Sequence, residues 1–229
     1  MPESFILPEF SDFAKMARFS RRAIVTEKID GTNGQINIVN LNENPIPQSI
    51  IDDKFPGVIR HEEFILIPGS RNGWLTSKPD NYGFHKWVEE NKAELVKLGP
   101  GRHFGEWWGS GINRGYGFKK GERFFSLFNV QRWHSVGETP LESPNLDPRK
   151  PSTFTEVLPA CCLHVPILWI GQFDEVNVNH LLTSLKENGS VAAPGFDNPE
   201  GIVIFHVAAN VGFKKTINKD EQPKGFSGS

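Results

Sequence analysis

Short apolar runs with strand-like character dominate this chain and limit what it can fold into. The strand-like runs are 23–26, 35–39, 63–67, 103–108, 123–130, 165–169 and 201–207. Only two segments show helical spacing: 82–98, which Gly99-Pro100 ends, and 174–188, which Gly189 follows. Few of the strand-like runs are separated by a helix. The pattern therefore predicts an α+β chain with largely antiparallel sheets flanked by a few helices, not a doubly wound sheet.

The composition is that of an ordinary globular protein. With 229 residues, of which 38% are hydrophobic, the chain is long enough to bury a sizeable core. Its two cysteines, Cys161 and Cys162, are adjacent and show no zinc-ligand spacing, which favours a reducing compartment. There is neither a signal-like N-terminus nor an apolar run of about 18 residues. We therefore expect a cytoplasmic protein that makes no membrane contact.

The charges of the chain nearly cancel. It has 25 Lys and Arg against 27 Asp and Glu, a net charge of −2. This balance gives no support for nucleic-acid binding, so such a role needs a local basic face. Five residues are candidates for that face, with a solvated charge run as the alternative: Arg102, Arg114, Lys119, Lys120 and Arg123.

A lysine stands at the junction of two strand-like runs. In VTEKIDGTNGQINIV, residues 25–39, Lys28 ends the first run and Gly31 begins the turn toward the second. An amine attacks only in its neutral form, and the lysine reference pKa of about 10.4 is lowered by desolvation and by neighbouring cations. A lysine at the end of a buried strand meets these conditions, so Lys28 is a candidate nucleophile. The alternative is a hairpin with a polar turn, and KIDG alone does not decide between them.

Four later segments change the interpretation of Lys28. They are GSRNGWL (69–75), FGEWWG (104–109), PEGIVIF (199–205) and GFKKT (212–216). Together with KIDG, their order resembles the five motifs of the covalent nucleotidyltransferases, which comprise ATP-dependent RNA and DNA ligases and mRNA capping enzymes. The surrounding residues, including FSLFNVQRW (125–133), look most like the RNA ligase 2 type branch. The resemblance covers most of the chain and implies a nucleotidyltransferase (ATP-grasp-like) fold.

The resemblance implies that Lys28 attacks the α-phosphate of ATP, releases pyrophosphate and carries AMP as a phosphoramidate. In-line attack builds charge on the equatorial phosphate oxygens, so cations are needed nearby. The resemblance assigns that role to Lys214 and Lys215. Adjacent residues of a strand point to opposite sides, and we favour Lys214 for the phosphate. The alternative for the pair is a solvated surface patch.

Carboxylates are expected to hold the metal and the sugar. The resemblance implies that Glu106 reads the ribose hydroxyls and that Glu200 lies close to a Mg²⁺ or Mn²⁺ ion. Mg²⁺ keeps several waters, so one or two carboxylates suffice; Glu106 and Asp30 are further candidate ligands. Asp30 stands where the RNA ligase 2 type carries histidine, and KxDG is the commoner form in DNA ligases and capping enzymes. The alternative for each glutamate is a surface position at a strand end.

Further residues are expected to contact ATP. The planar guanidinium of Arg71 suits phosphate or ribose, and Asn33 is expected near either group. Glu27 and Ile29, which flank the nucleophile, belong to the same expected cofactor-binding set. The resemblance also implies that Phe125 stacks on adenine. An ordinary turn is the alternative for Arg71, and a core position is the alternative for Phe125.

Alternation along the phenylalanine-rich strand separates its residues into two sets. Phe125 and Leu127 fall on one face, and Phe124, Ser126 and Phe128 fall on the other. Either set can line a pocket.

The expected function is that of an ATP-dependent RNA ligase core. It would form lysyl-AMP on Lys28, transfer AMP to a 5′-phosphate RNA end and seal that end with a 3′-hydroxyl, as in RNA repair. A DNA ligase core or a capping guanylyltransferase is the nearest alternative, and a nucleotide-binding module without ligation activity is the alternative from another class. We expect residues 1–229 to form one monomeric adenylation domain without an appended OB-fold or RNA-binding domain.

Overall fold

The computed structural model describes residues 10, 12, 13, 15–133 and 158–218. Ten strands are found within them: β1 (Arg22–Lys28), β2 (Thr32–Asn40), β3 (Ile59–His61), β4 (Phe64–Gly69), β5 (Gly101–Gly109), β6 (Arg123–Leu127), β7 (Cys162–His164), β8 (Ile167–Gln172), β9 (Gly201–His206) and β10 (Val211–Thr216). One sheet has the order β3-β4-β2-β5-β6-β7 and the other β10-β9-β1-β8. Every pairing is antiparallel except that of β6 with β7. The predicted α+β class with largely antiparallel sheets is confirmed.

The helices of the described residues are short. They are α1 (Gln48–Lys54), α2 (Phe84–Glu90), α3 (Lys92–Leu95), α4 (Val130–Trp133) and α5 (Glu175–Asn188), with a 3₁₀ turn at Val96–Leu98. None of them, within the part of the chain that the structure describes, has the length and apolar character needed to span a bilayer.

Two elements differ from the sequence prediction. The helix expected over 82–98 is divided at Asn91, whose side-chain amide donates to the carbonyl of Trp87 at 2.8 Å and so competes with the helical ladder. The strand expected over 123–130 ends at Leu127, and α4 begins at Val130. The C-terminal helix agrees closely, since α5 ends at Asn188 and Gly189 follows with φ +82°.

The burial of β1 explains the continuous apolar run at residues 23–25. The strand lies between β8 and β9, so both of its edges are paired. Ala23 and Val25 pack with Val178 and Leu185 of α5, whereas Ile24 belongs to a second apolar cluster that includes Trp108. With both faces covered, β1 holds Lys28 at its C-terminal end in a fixed position.

A cleft with a volume of about 1180 Å³ is lined by residues of both sheets. This volume exceeds the range of about 300 to 1,000 Å³ that is usual for small-molecule sites, so the cleft can take a nucleotide and leave room beside it. Lys28 is among its lining residues.

Candidate active site

The Lys28 amine faces a carboxylate from a distant part of the sequence. Lys28 is opposite Gly201 in the antiparallel pairing of β1 with β9, so the end of one strand meets the start of the other. Lys28 Nζ lies 2.5 Å from Glu200 Oε2, and the two side chains are only 24% and 17% exposed. The topology therefore joins the first and fourth sequence motifs as an ion pair that opens onto the cleft.

Glu106 is held beside this pair from the six-stranded sheet. It is opposite Asn33 in the pairing of β2 with β5, and Asn33 Nδ2 donates to its Oε2 at 3.2 Å. The backbone N–H of Gly31 donates to its Oε1 at 3.0 Å. Burial, assisted by the charges of Glu200 and Asp30, raises the pKa of Glu106 to about 7, against opposing effects of the Gly31 N–H and Lys28. Glu106 therefore changes its protonation state near neutral pH.

Asp30 is bound by the loop that follows β5. Asn113 Nδ2 donates to Asp30 Oδ1 at 3.0 Å, and Arg114 Nε donates to Asp30 Oδ2 at 2.9 Å. The backbone N–H of Asp30 donates to the Tyr116 hydroxyl at 2.7 Å. No spacing signal in the sequence marks these contacts. In the structure, hydrogen bonds with this loop fix the position of the turn that follows Lys28.

Arg114 extends the same attachment to the Glu200 strand. Its Nη1 donates to the carbonyl and the side-chain oxygen of Asn198, each at 2.7 Å, and to the Pro199 carbonyl at 3.3 Å. One guanidinium therefore joins the turn after Lys28 to the segment that leads into Glu200. We call Asp30, Arg114, Asn198 and Pro199 the Arg114 clasp.

These contacts test which carboxylate fits a divalent cation. Both oxygens of Asp30 accept hydrogen bonds, from Asn113 and Arg114, so Asp30 is an ion-pair partner in the structure, and its role as a metal ligand stays a prediction. Both oxygens of Glu106 also accept hydrogen bonds. Glu200 uses Oε2 for Lys28 and fits best, because Mg²⁺ completes its shell with waters and substrate phosphates. Among the described residues, no group of three or more His, Cys, Asp or Glu side chains forms a metal cage.

Glu27 and Ile29 flank the nucleophile in buried positions. The Glu27 side chain is 1% exposed and accepts hydrogen bonds from Ser190 Oγ at 2.6 Å and from the N–H groups of Val191 and Ala192 at 2.8 Å. Burial raises the pKa of Glu27, and these three donors oppose that shift. Ile29 is 4% exposed and packs in the Trp108 cluster. Both residues border the cleft, and the contacts of their side chains hold the backbone on either side of Lys28 in place.

The two lysines of β10 are placed differently. Lys214 is opposite Val203 of β9, exposed, and lines the cleft. Lys215 is opposite Ile202, half-buried, and does not line the cleft. Because adjacent side chains of a strand point to opposite faces, the structure brings Lys214 and not Lys215 to the side of Lys28.

The structure corrects the aromatic residue expected against adenine. Phe125 is fully buried and packs against Phe84 and Trp87, with ring centroids 5.0 and 5.6 Å away, so no face of its ring is open to a base. Phe128, on the other face of the same segment, is 42% exposed and lines the cleft. Val203 of β9 lines the cleft as well.

Arginines occupy the opposite end of the cleft from the carboxylates. Arg71 is exposed in the turn after β4 and lines the cleft, as does Arg102 of β5. The basic face stays a prediction: of its five candidate residues, Arg114 belongs to the clasp and Arg123 donates to the carbonyls of Ser110 and Tyr82. These basic side chains therefore have different roles in the structure.

Solved structures of RNA ligases resemble this fold. Three variants of Naegleria gruberi RNA ligase, two with ATP and Mn and one apo, match with TM-scores of 0.50, 0.51 and 0.50. Their identities are 19%, 18% and 20%, and each match covers 87% of this chain. The chain spans about half the length of those proteins, with 50%, 51% and 50% of each covered. The similarity shows that this chain and those RNA ligases share a fold.

The family of this chain is identified from its sequence. A comparison with curated proteins found no match. The model of the family described as RNA ligase matches residues 21–219, which span all the strands of both sheets, Lys28, and the Glu200 and Lys214 positions. Since this match covers most of the 229 residues, the chain belongs to the RNA ligase family.

Proposed function

We propose that this chain is the catalytic core of an ATP-dependent RNA ligase that carries AMP covalently on Lys28. The observation that carries the proposal is the placement of the Lys28 amine against Glu200 in a nucleotide-sized cleft, with Glu106 on one side and Lys214 among the lining residues. ATP and Mn are bound by the Naegleria gruberi RNA ligase variants that share the fold, which supports the same cofactors here.

In the proposed first step, Lys28 Nζ attacks the α-phosphorus of ATP. A phosphorus–nitrogen bond forms, the bond from the α-phosphorus to its bridging oxygen breaks, and pyrophosphate leaves with the electron pair. The amine attacks only after it loses a proton, and Glu200 Oε2, at 2.5 Å, is placed to accept it. Lys214 offsets the negative charge that develops on the phosphate oxygens.

The proposed adenosine position follows from the groups around the cleft. We propose that Glu106 and Asn33, which hydrogen-bond each other and line the cleft, contact the ribose hydroxyls, and that Arg71, which also lines the cleft, contacts phosphate. Phe128 offers the aromatic face that Phe125 cannot, and Val203 lines the same cleft. When bound, Mg²⁺ or Mn²⁺ would neutralise phosphate charge, with Glu200 as the residue that best fits it.

Two further steps would use the adenylated lysine. The AMP passes from Lys28 to the 5′-phosphate of an RNA end, and the 3′-hydroxyl of a second end attacks that phosphate with AMP as the leaving group. RNA ends are proposed as substrates because the chain belongs to the RNA ligase family. Repair of broken RNA is the biological role that this reaction suits.

The test is covalent labelling. The protein is incubated with α-labelled ATP and Mg²⁺, denatured and resolved, and the product is treated with acid and with alkali. We expect a label that acid removes and alkali spares, absent from Lys28→Ala. Lys97→Ala serves as a control, because Lys97 also pairs with a glutamate at 2.5 Å, but on the surface of the protein.

Specific results would overturn the proposal. Equal labelling of wild type and Lys28→Ala, or no labelling of wild type from neutral to alkaline pH, would contradict a lysyl-AMP enzyme and favour a nucleotide-binding module. Labelling by GTP in preference to ATP would favour a capping guanylyltransferase. Sealing of nicked DNA but not of RNA would favour a DNA ligase core.

A further inference from the structure

Three side chains form a cation–aromatic strip at the arginine end of the cleft: Trp74, Arg102 and Phe104. Phe104 is 48% exposed although its ring is large and apolar. Arg102 and Phe104 line the cleft, and Trp74 lies against the far side of the arginine. Neither the proposed adenosine position nor the phosphate chemistry uses these groups. An exposed aromatic ring beside an arginine inside a cleft indicates a binding surface.

The position of the strip follows from the alternation of β5. Arg102, Phe104 and Glu106 point to one face of the six-stranded sheet, and successive members lie about 7 Å apart at about 3.4 Å per residue. On the neighbouring strand, Gln35 and Asn37 are opposite Phe104 and Arg102. The strip is therefore continuous with Glu106, which contacts the turn after Lys28, and it leads away from the reacting centre along a straight strand.

The guanidinium of Arg102 is fixed but not neutralised. Its Cζ lies 5.7 Å from the ring centroid of Trp74 and 5.9 Å from that of Phe104. Trp74 is anchored in turn by an edge contact with Phe55, with ring centroids 5.7 Å apart. Within the described ranges, Arg102 forms no ion pair with a carboxylate. Stacking on two rings thus orients the cation and leaves its charge available to an anion.

We infer that the cation–aromatic strip binds the single-stranded end of the RNA substrate, with an unpaired base on Phe104 and a backbone phosphate on Arg102. This inference rests on the proposed function. A base in the interior of a duplex has both faces stacked on its neighbours, whereas every base of a single strand can turn an open face to the exposed ring. The strip supplies a base-stacking surface and a phosphate partner next to Glu106, which brings the end of the strand toward the Lys28 position.

The test measures binding and adenylation separately. Anisotropy of a fluorescein-labelled 12-nucleotide RNA, read at low salt without ATP or Mg²⁺, gives the affinity of the full chain for a single strand, and the same sequence as a blunt duplex gives the comparison. We expect Phe104→Leu to weaken single-strand binding by about fivefold or more, and Phe104→Trp to retain it. We expect Arg102→Ala to reduce the steepness of the salt dependence by about 0.7 in log–log slope.

Matched controls separate the strip from general effects. Arg60→Ala removes an exposed arginine of the same sheet that donates to Gln48, and Phe19→Leu removes an exposed phenylalanine outside the cleft. Both are expected to bind RNA as wild type does. All strip variants are expected to label Lys28 with ATP at the wild-type rate.

Each outcome decides for or against the strip. Unchanged single-strand affinity in Phe104→Leu and Arg102→Ala would overturn the inference, as would equal losses for duplex and single strand. Impaired labelling by ATP with unchanged RNA binding would instead assign the strip to the triphosphate. If wild type labels Lys28 but does not bind single-stranded RNA, the inference fails and the proposed function stands. If wild type does not label at all, the proposed function fails.

Discussion

The Arg114 clasp allows a prediction that separates positioning from stability. In Arg114→Ala, the Asp30 carboxylate loses its cation, and Asn198 and Pro199 lose the donor that they share. Lys28 and Glu200 are not touched by the substitution. Because their strands remain paired, the change expected at the site is a shift of the turn after Lys28 relative to the segment before Glu200.

The magnitudes follow from the contacts of Arg114. The side chains of the ion pair with Asp30 are 22% and 27% exposed, so solvent screens part of its energy. With the hydrogen bonds to the 198–199 segment included, we expect the free energy of unfolding to fall by about 1 to 3 kcal/mol. A displacement of about 1 Å at the reacting centre lowers a rate by about 10²-fold, so the adenylation rate at saturating ATP should fall by about 10- to 100-fold.

The assay compares three variants by chemical denaturation and by the rate of covalent labelling over a range of ATP concentrations. Arg114→Ala should lower the maximal labelling rate and leave the half-saturating ATP concentration nearly unchanged. Arg114→Lys keeps a charge opposite Asp30 but lacks the planar fork, so it should recover stability more than rate. Arg60→Ala controls for the loss of an arginine. If Arg114→Ala is destabilised but labels at the wild-type rate, the clasp only holds the loop, and the positioning argument is refuted.

Three further predictions concern single positions. Gly31→Ala should destabilise the protein by about 1 to 3 kcal/mol in chemical denaturation, because a Cβ there would lie 2.5 Å from a backbone carbonyl oxygen. Gly73→Ala is the control, since a Cβ at Gly73 would meet no atom within 4 Å, and it should change stability by less than about 0.5 kcal/mol. The folded-state pKa of Glu106, about 7, exceeds its ordinary 4.5, so its stabilising contribution is complete below about pH 4.5 and is lost as the pH rises through 7. Wild type should therefore lose stability over this window more steeply than Glu106→Gln, by up to about 1.4 kcal/mol per pH unit, and parallel denaturation curves would contradict the assignment. Lys214→Ala should slow labelling by about 100-fold and Lys215→Ala by less than about tenfold, since of these two lysines Lys214 lines the cleft. A larger loss in Lys215→Ala than in Lys214→Ala would refute the assignment of Lys214 to the phosphate.

Local sequence was sufficient for the fold class and for the order of the motifs. Strand-like runs predicted β1, β2, β4, β5, β6, β8 and β9, because apolar periodicity depends on near neighbours. Five elements, β3, β7, β10, α1 and α4, were not predicted; they have seven residues or fewer and depend on their neighbours for stability. The division of the helix at Asn91 also escaped the prediction, since its apolar positions keep one helical period across the break.

Two site residues show what local sequence could not decide. Alternation separated Phe125 from Phe128, but it could not say which face meets the cleft, and the structure buries Phe125 against Phe84. Asp30 was expected beside a metal, and no local pattern predicted its ion pair with Arg114, 84 residues later in the chain. In both cases the decision depends on contacts between elements that are far apart in sequence.

The sequence by itself determined the α+β class, the candidate nucleophile Lys28 and the series of motifs that follows it, because periodicity and residue order are local properties. Only the tertiary structure decided that Glu200 meets Lys28, that Lys214 and not Lys215 faces the cleft, and that Arg114 joins the turn after Lys28 to the segment before Glu200. The physical reason is strand pairing: antiparallel register and the alternation of side chains fix which distant groups share a face, and no local pattern contains that register.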